Sequence, residues 1–212
     1  MSGIRSIRFS RRELFDLFAA WIILSVAFTL FLHPGLLAGW SYAPDPAAVI
    51  AAFGEALLTS LVTVGVGFML HELAHKVVAI RFGQVAAFRA DYGMLFLALV
   101  SAMAGFLFAA PGAVVHRGRV TPRESGLIAL AGPVTNLALA ISFAPFALLA
   151  GLEIASVASF GVTINLLLAG FNMIPYGPLD GRTVLRWNRA VYLAVAVPAI
   201  VLAIAGLFGL GL

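Results

Sequence analysis

The stretch Met69-Leu70-His71-Glu72-Leu73-Ala74-His75-Lys76-Val77-Val78 lies inside an apolar run that extends from about residue 49 to residue 82. On a helix, residues four apart share one face, so the imidazoles of His71 and His75 can reach one metal ion. Glu72 stands beside them, placed to act on a water at that metal. The run around the motif is apolar enough that lipid, not water, is expected to surround the helix. Ionisable groups at membrane depth are expensive, and they mark a functional site by default. Two histidines satisfied by core hydrogen bonds, with an unrelated glutamate, would be the bland reading. It leaves three polar side chains in an apolar span without a task.

Working outward, the composition agrees with a bilayer. Apolar residues make up 62% of the 212-residue chain and charged residues 10%. Soluble domains run at about 45–50% and about 25%. That length accommodates five or six spans and little else. There are no cysteines, which excludes disulfides and thiolate metal sites. A transition metal must then be held by histidine and carboxylate. The net charge of +4 is no nucleic-acid signal, because the basic residues cluster beside apolar segments as topology determinants do. Arg5, Arg8, Arg11 and Arg12 precede the run Leu14 to Leu32. That run is too long for a signal h-region and reads as a retained first span.

A span needs about 20 mostly apolar residues. Candidates are 14–33, 49–82, 124–150, 156–175 and 189–211. The second exceeds one crossing, so it should tilt or project. Pro34 to Pro46, with Trp40 and Tyr42, reads as an interfacial loop with aromatic anchors. Met94 to Ala110 is short for a span. If it re-enters and returns, all 13 Lys and Arg residues fall on or near the cytoplasmic side. If it crosses, the clusters at 117–123 and 182–189 land on opposite sides. The re-entrant reading is preferred, with a sixth full span as the other. Gln84 to Arg89 and Ala113 to Val120 flank this stretch and carry small or β-branched residues with glycines nearby. They could form a small sheet at the cytoplasmic face, or plain loop. The expected fold is an all-α polytopic membrane protein with five to six transmembrane helices, a small β element and a re-entrant segment. The expected division is 1–48 (first span and interfacial loop), 49–189 (catalytic membrane core) and 190–212 (last span).

Catalytic zinc takes three protein ligands and an open position. The candidates for a third are Asp180, His116, His33, Glu55 and Asp91. His33 lies at the outer end of the first span. Glu55 is about 24 Å from His71 along one helix, which is too far. His116 falls in the basic inner segment, where a surface or strand position is the simpler reading, and Asp91 is near the inner end without a supporting motif. Asp180 follows Asn172-Met173-Ile174-Pro175-Tyr176-Gly177-Pro178-Leu179 and precedes Gly181. Two prolines and two glycines break the helix there, and a carboxylate at such a break can face inward.

Together the two stretches resemble the site-2 protease family, the intramembrane zinc metalloproteases. The signatures are His-Glu-x-x-His, here 71–75, and Asn-x-x-Pro-x-x-x-Leu-Asp-Gly, here 172–181. A Gly-Pro-x-x-Asn element between them is matched by Gly132-Pro133-Val134-Thr135-Asn136. The resemblance covers about residues 49–189. It implies His71, His75 and Asp180 as ligands of one Zn²⁺. It also implies Glu72 as catalytic base and Asn172 as a group that holds the substrate carbonyl or its oxyanion. Hydrolysis of membrane-anchored protein substrates within or near the bilayer follows as the expected function, and transmembrane proteins and the lipid bilayer as the partners. No nucleic acid is expected. The alternative is a non-catalytic membrane scaffold or metal-binding protein of the same fold. A prenyl-protein type peptidase with a glutamate ligand is a further rival, with Glu153 and Glu124 as the residues to test. Asn136 and Asn165 read as interhelical hydrogen-bonding residues, and Gly132 and Gly170 as helix-packing positions. The expected location is a prokaryotic plasma membrane, with the N-terminus and the active-site side cytoplasmic.

Overall fold

The structure, a computed structural model, describes residues 7–36, 45–108 and 111–208. Trp40 and Tyr42 of the expected interfacial loop lie outside the described residues, as do 109–110 and 209–212. Among the described residues, five helices are long and apolar enough to cross a membrane: α1 (Arg11–Leu32), α2 (Pro46–Arg81), α4 (Pro122–Leu149), α5 (Leu152–Asn172) and α7 (Arg189–Leu207). Between them lie strand β1 (Val85–Ala90), the short helix α3 (Tyr92–Met103), strand β2 (Gly112–Arg117) and helix α6 (Asp180–Trp187). The five span expectations hold to within a few residues at each described end.

The helices begin where the sequence supplies caps. Ser10 Oγ accepts from the Glu13 N–H at 3.1 Å to start α1, and Asp45 precedes Pro46 at the start of α2. Thr121 and Glu124 form a reciprocal capping box at the start of α4, with Pro122 in its first turn. Each device satisfies amide groups that have no partner inside the helix.

The described residues form two compact units, one of 10–66 and 89–113 and the other of 7–9, 67–88 and 114–208. In the first, α1 packs on α3 and on the early part of α2. A wide π turn, Leu61–Gly65, interrupts α2 there. It redirects the Leu61 carbonyl, which accepts from Trp21 Nε1 at 3.0 Å. Gly65 gives the Trp21 ring its room. Thr29 Oγ1 lies 3.0 Å from Ser60 Oγ, and Asp16 accepts from the Tyr92 hydroxyl at 2.7 Å.

The segment between the strands returns to where it starts. Helix α3 has 12 residues, about 18 Å of rise, against a hydrocarbon core of about 30 Å. The Asp91 N–H donates to the Pro111 carbonyl at 3.1 Å, so the two ends of the excursion meet. Gln84 Nε2 reaches the Arg119 carbonyl at 3.0 Å at the other end of the pair, which makes β1 and β2 antiparallel. The two ends of the segment lie side by side, as the re-entrant reading requires, and the small sheet is real.

In the second unit α5 packs on α4 and on α7, and α6 packs on α4 and α7. Ala129, Met173, Val184, Tyr192 and Ala196 form one apolar core there. Ala79, Ile80, Ala86 and Ile128 form another, fixing β1 to the end of α2 and to α4.

Candidate metal centre

The late part of α2 presents His71 and His75 one turn apart on a buried face. Their Nε2 atoms lie 3.0 Å from each other. Each is 3.3 Å from Asp180 Oδ2. Asp180 is the first residue of α6, directly after the Pro175 to Pro178 break. Gly177 takes a positive φ of 58° in that turn. Gly181 is equally specific: a Cβ there would run into the Met173 backbone, so only glycine lets the first turn of α6 close on the end of α5. The Leu-Asp-Gly order thus aims the carboxylate.

The other ring nitrogen of each histidine is tied. His71 Nδ1 lies 2.6 Å from Asn136 Oδ1, and His75 Nδ1 lies 2.7 Å from the Ile128 carbonyl. Both oxygens accept, so both Nδ1 atoms carry the proton and both Nε2 atoms present lone pairs. Both partners come from α4. Pro133 cannot donate to the helical ladder and its ring pushes on the preceding turn, which loosens the carbonyls there. Gly132 faces the two imidazole rings themselves. A Cβ at this position would stand 2.5 Å from His71 Nε2 and 2.5 Å from His75 Nε2. Its role at the site goes beyond the helix-packing reading.

Two lone pairs 3.0 Å apart, with a carboxylate oxygen 3.3 Å from each, repel unless a cation lies among them. The donor set is two imidazoles and one carboxylate, which suits catalytic zinc. It is the group of this kind among the described residues.

Glu72 is buried beside this group. Its Oε2 has no hydrogen-bond partner among the described residues. A buried carboxylate oxygen left open is costly, which marks Glu72 as a candidate for chemistry.

The remaining candidates are used elsewhere. Asp91 caps α3 through the Met94 N–H at 3.0 Å. Glu55 and His33 are exposed, on α2 and just past the end of α1, and His116 is half-buried on β2. Asn172 ends α5, half-buried, and its Nδ2 donates to the Leu168 carbonyl at 2.9 Å. The amide has a second N–H, which no other described residue engages. Asn136 was legible only as an interhelical residue. Its position four after Gly132, on the helical face that approaches the histidines, is the signal that could have tied it to His71.

A protein of Methanocaldococcus jannaschii, provisionally named a zinc metalloprotease, is 41% identical over 197 residues, which spans 91% of this chain and 93% of the relative. The chain belongs to the site-2 protease family. Rip3 of Mycobacterium tuberculosis, provisionally named in the same way, is 34% identical to it over 74% of this chain and 36% of its own length. YwhC of Bacillus subtilis, also so named, is 35% identical over 59% of this chain and 67% of its own length. No family model matches the chain. No solved structure matches it either. Membership in a zinc metalloprotease family makes Zn²⁺ the expected occupant of a group composed like His71, His75 and Asp180.

Proposed function

We propose that this site-2 protease relative is an intramembrane endopeptidase that cleaves membrane-anchored protein substrates within or near the bilayer. The observation that carries this reading is the convergence of His71, His75 and Asp180 beside an open Glu72 oxygen, with His71, Glu72 and His75 on a helix apolar enough to span. His71, His75 and Asp180 hold the metal in this proposal. Zinc bound there supplies Lewis acidity, which brings a water's pKa toward about 7 and polarises a peptide carbonyl.

The chain's own groups do the rest. Glu72 takes a proton from the attacking water and delivers it to the amine nitrogen as the peptide C–N bond breaks. The free N–H of Asn172 donates to the carbonyl oxygen as it gains charge. The tied Nδ1 atoms of His71 and His75 keep both rings oriented through the cycle. A transmembrane substrate must first unwind, because its carbonyls are occupied in helical hydrogen bonds. An extended segment laid along the unpaired edge of β2 would find main-chain partners next to Glu72. The N-terminus and the site face the cytoplasm in this reading, supported by the distribution of the 13 basic residues.

Metal analysis and cleavage of a model membrane substrate by the wild type and by Glu72→Gln test the proposal together. Bound zinc in both proteins, with cleavage by the wild type alone, is the expected result. Zinc in both with no cleavage by either would leave a metal-binding scaffold, and equal cleavage by both would remove Glu72 from the reaction.

A further inference from the structure

Asn165 belongs to neither motif. It lies in α5, and like Asn136 it is 0% exposed. Its Nδ2 donates to the Gly161 carbonyl at 2.9 Å, and its Oδ1 accepts from Asn136 Nδ2 at 2.9 Å. Asn136 Nδ2 also donates to the Gly67 carbonyl at 3.1 Å. Asn136 Oδ1 then receives His71 Nδ1–H at 2.6 Å.

The order of donors and acceptors along this row is forced. A backbone carbonyl only accepts. Gly161 therefore obliges Asn165 to turn its nitrogen inward on α5 and its oxygen toward Asn136. Gly67 and Asn165 together oblige Asn136 to point its nitrogen at them, leaving an oxygen for His71. His71 must then carry its proton on Nδ1 and keep Nε2 free toward His75 and Asp180. Gly67 also gives the row its space, since a Cβ there would stand 2.7 Å from Asn165 Oδ1. Two fully buried amides are costly at membrane depth if packing alone is required.

We propose that Asn165 is a remote positioning residue: acting through Asn136, it fixes the tautomer and orientation of His71 and so sets the affinity of the protein for its divalent metal. This rests on the reading of His71 as a metal ligand.

The test uses the full chain in detergent, stripped of metal. Zinc affinity is measured by competition with a chromophoric chelator, and the visible spectrum is recorded after Co²⁺ loading. Asn165→Leu, which can neither donate nor accept, is expected to bind zinc about tenfold more weakly, the low end for a group that orients a ligand, and to change the Co²⁺ bands. Asn165→Asp keeps an acceptor for Asn136, and when protonated a donor for Gly161, so it is expected to restore near wild-type affinity. Should Asn165→Leu fail to fold, Asn165→Ala answers the same question. Wild-type zinc affinity and an unchanged Co²⁺ spectrum in the Leu or Ala variant, even with a lowered melting temperature, would overturn the proposal. His71→Ala separates the two levels. Undiminished zinc binding in that variant would sink the metal reading itself. Loss there with no change at position 165 would sink only the relay.

Discussion

The two units of the molecule use their buried polar groups differently. Around α1 these groups join one helix to the next: Thr29 to Ser60, Trp21 to the Leu61 carbonyl, and Asp16 to Tyr92. Such contacts act as adhesive between helices. Around the late part of α2 the polar groups form a row with a direction. It starts at the Gly161 carbonyl, passes Asn165 and Asn136, and ends in the His71 lone pair beside His75, Asp180 and the unpartnered Glu72 oxygen.

The comparison breaks most visibly if either ligand type is removed. His71→Ala and Asp180→Ala are expected to reduce bound zinc to background, measured by metal analysis, while Glu153→Ala, on an exposed carboxylate, leaves it intact. Glu72→Gln should retain zinc and lower kcat by about 10²–10⁴-fold, the usual share of a general base. A retained kcat would remove Glu72 from the proton path. Gly132→Ala drives a methyl toward both Nε2 atoms, and zinc affinity should fall by about 10–100-fold. Unchanged affinity would show that α4 can retreat. Proline at positions 113–116 or 84–88 should reduce cleavage at normal protein levels without removing zinc, read by substrate turnover beside metal content. Full turnover would end the role of the β2 edge in substrate capture. The smallest effect belongs to the adhesive side. Thr29→Val should cost about 0.6 kcal/mol of stability and leave zinc binding unchanged. A change in zinc affinity there would blur the contrast between the units.

Much of this was legible from residue order alone. The span boundaries follow from apolar length, and the donors His71, His75 and Asp180 follow from two motifs with few competitors. The placement of arginines favoured a returning segment at 94–110 over a sixth span before any helix length was known. What stayed hidden depended on partners distant in sequence. Asn136 and Asn165 look like any buried amides until the Gly161 and Gly67 carbonyls fix their polarity. Gly132 reads as a packing position until the histidines are seen against it. The π turn in α2 leaves no period of its own, because Trp21 and Gly65 determine it across 40 and 44 residues of chain. Asp91 stayed open as a ligand because its service to the Met94 N–H is a matter of backbone geometry.

The hydrogen bond that joins Asp91 to Pro111 stitches shut the base of the apolar excursion. Chain length above the stitch is thereby uncoupled from strand alignment below it. Changes in the length of α3 are expected to leave the pairing of β1 with β2 in place.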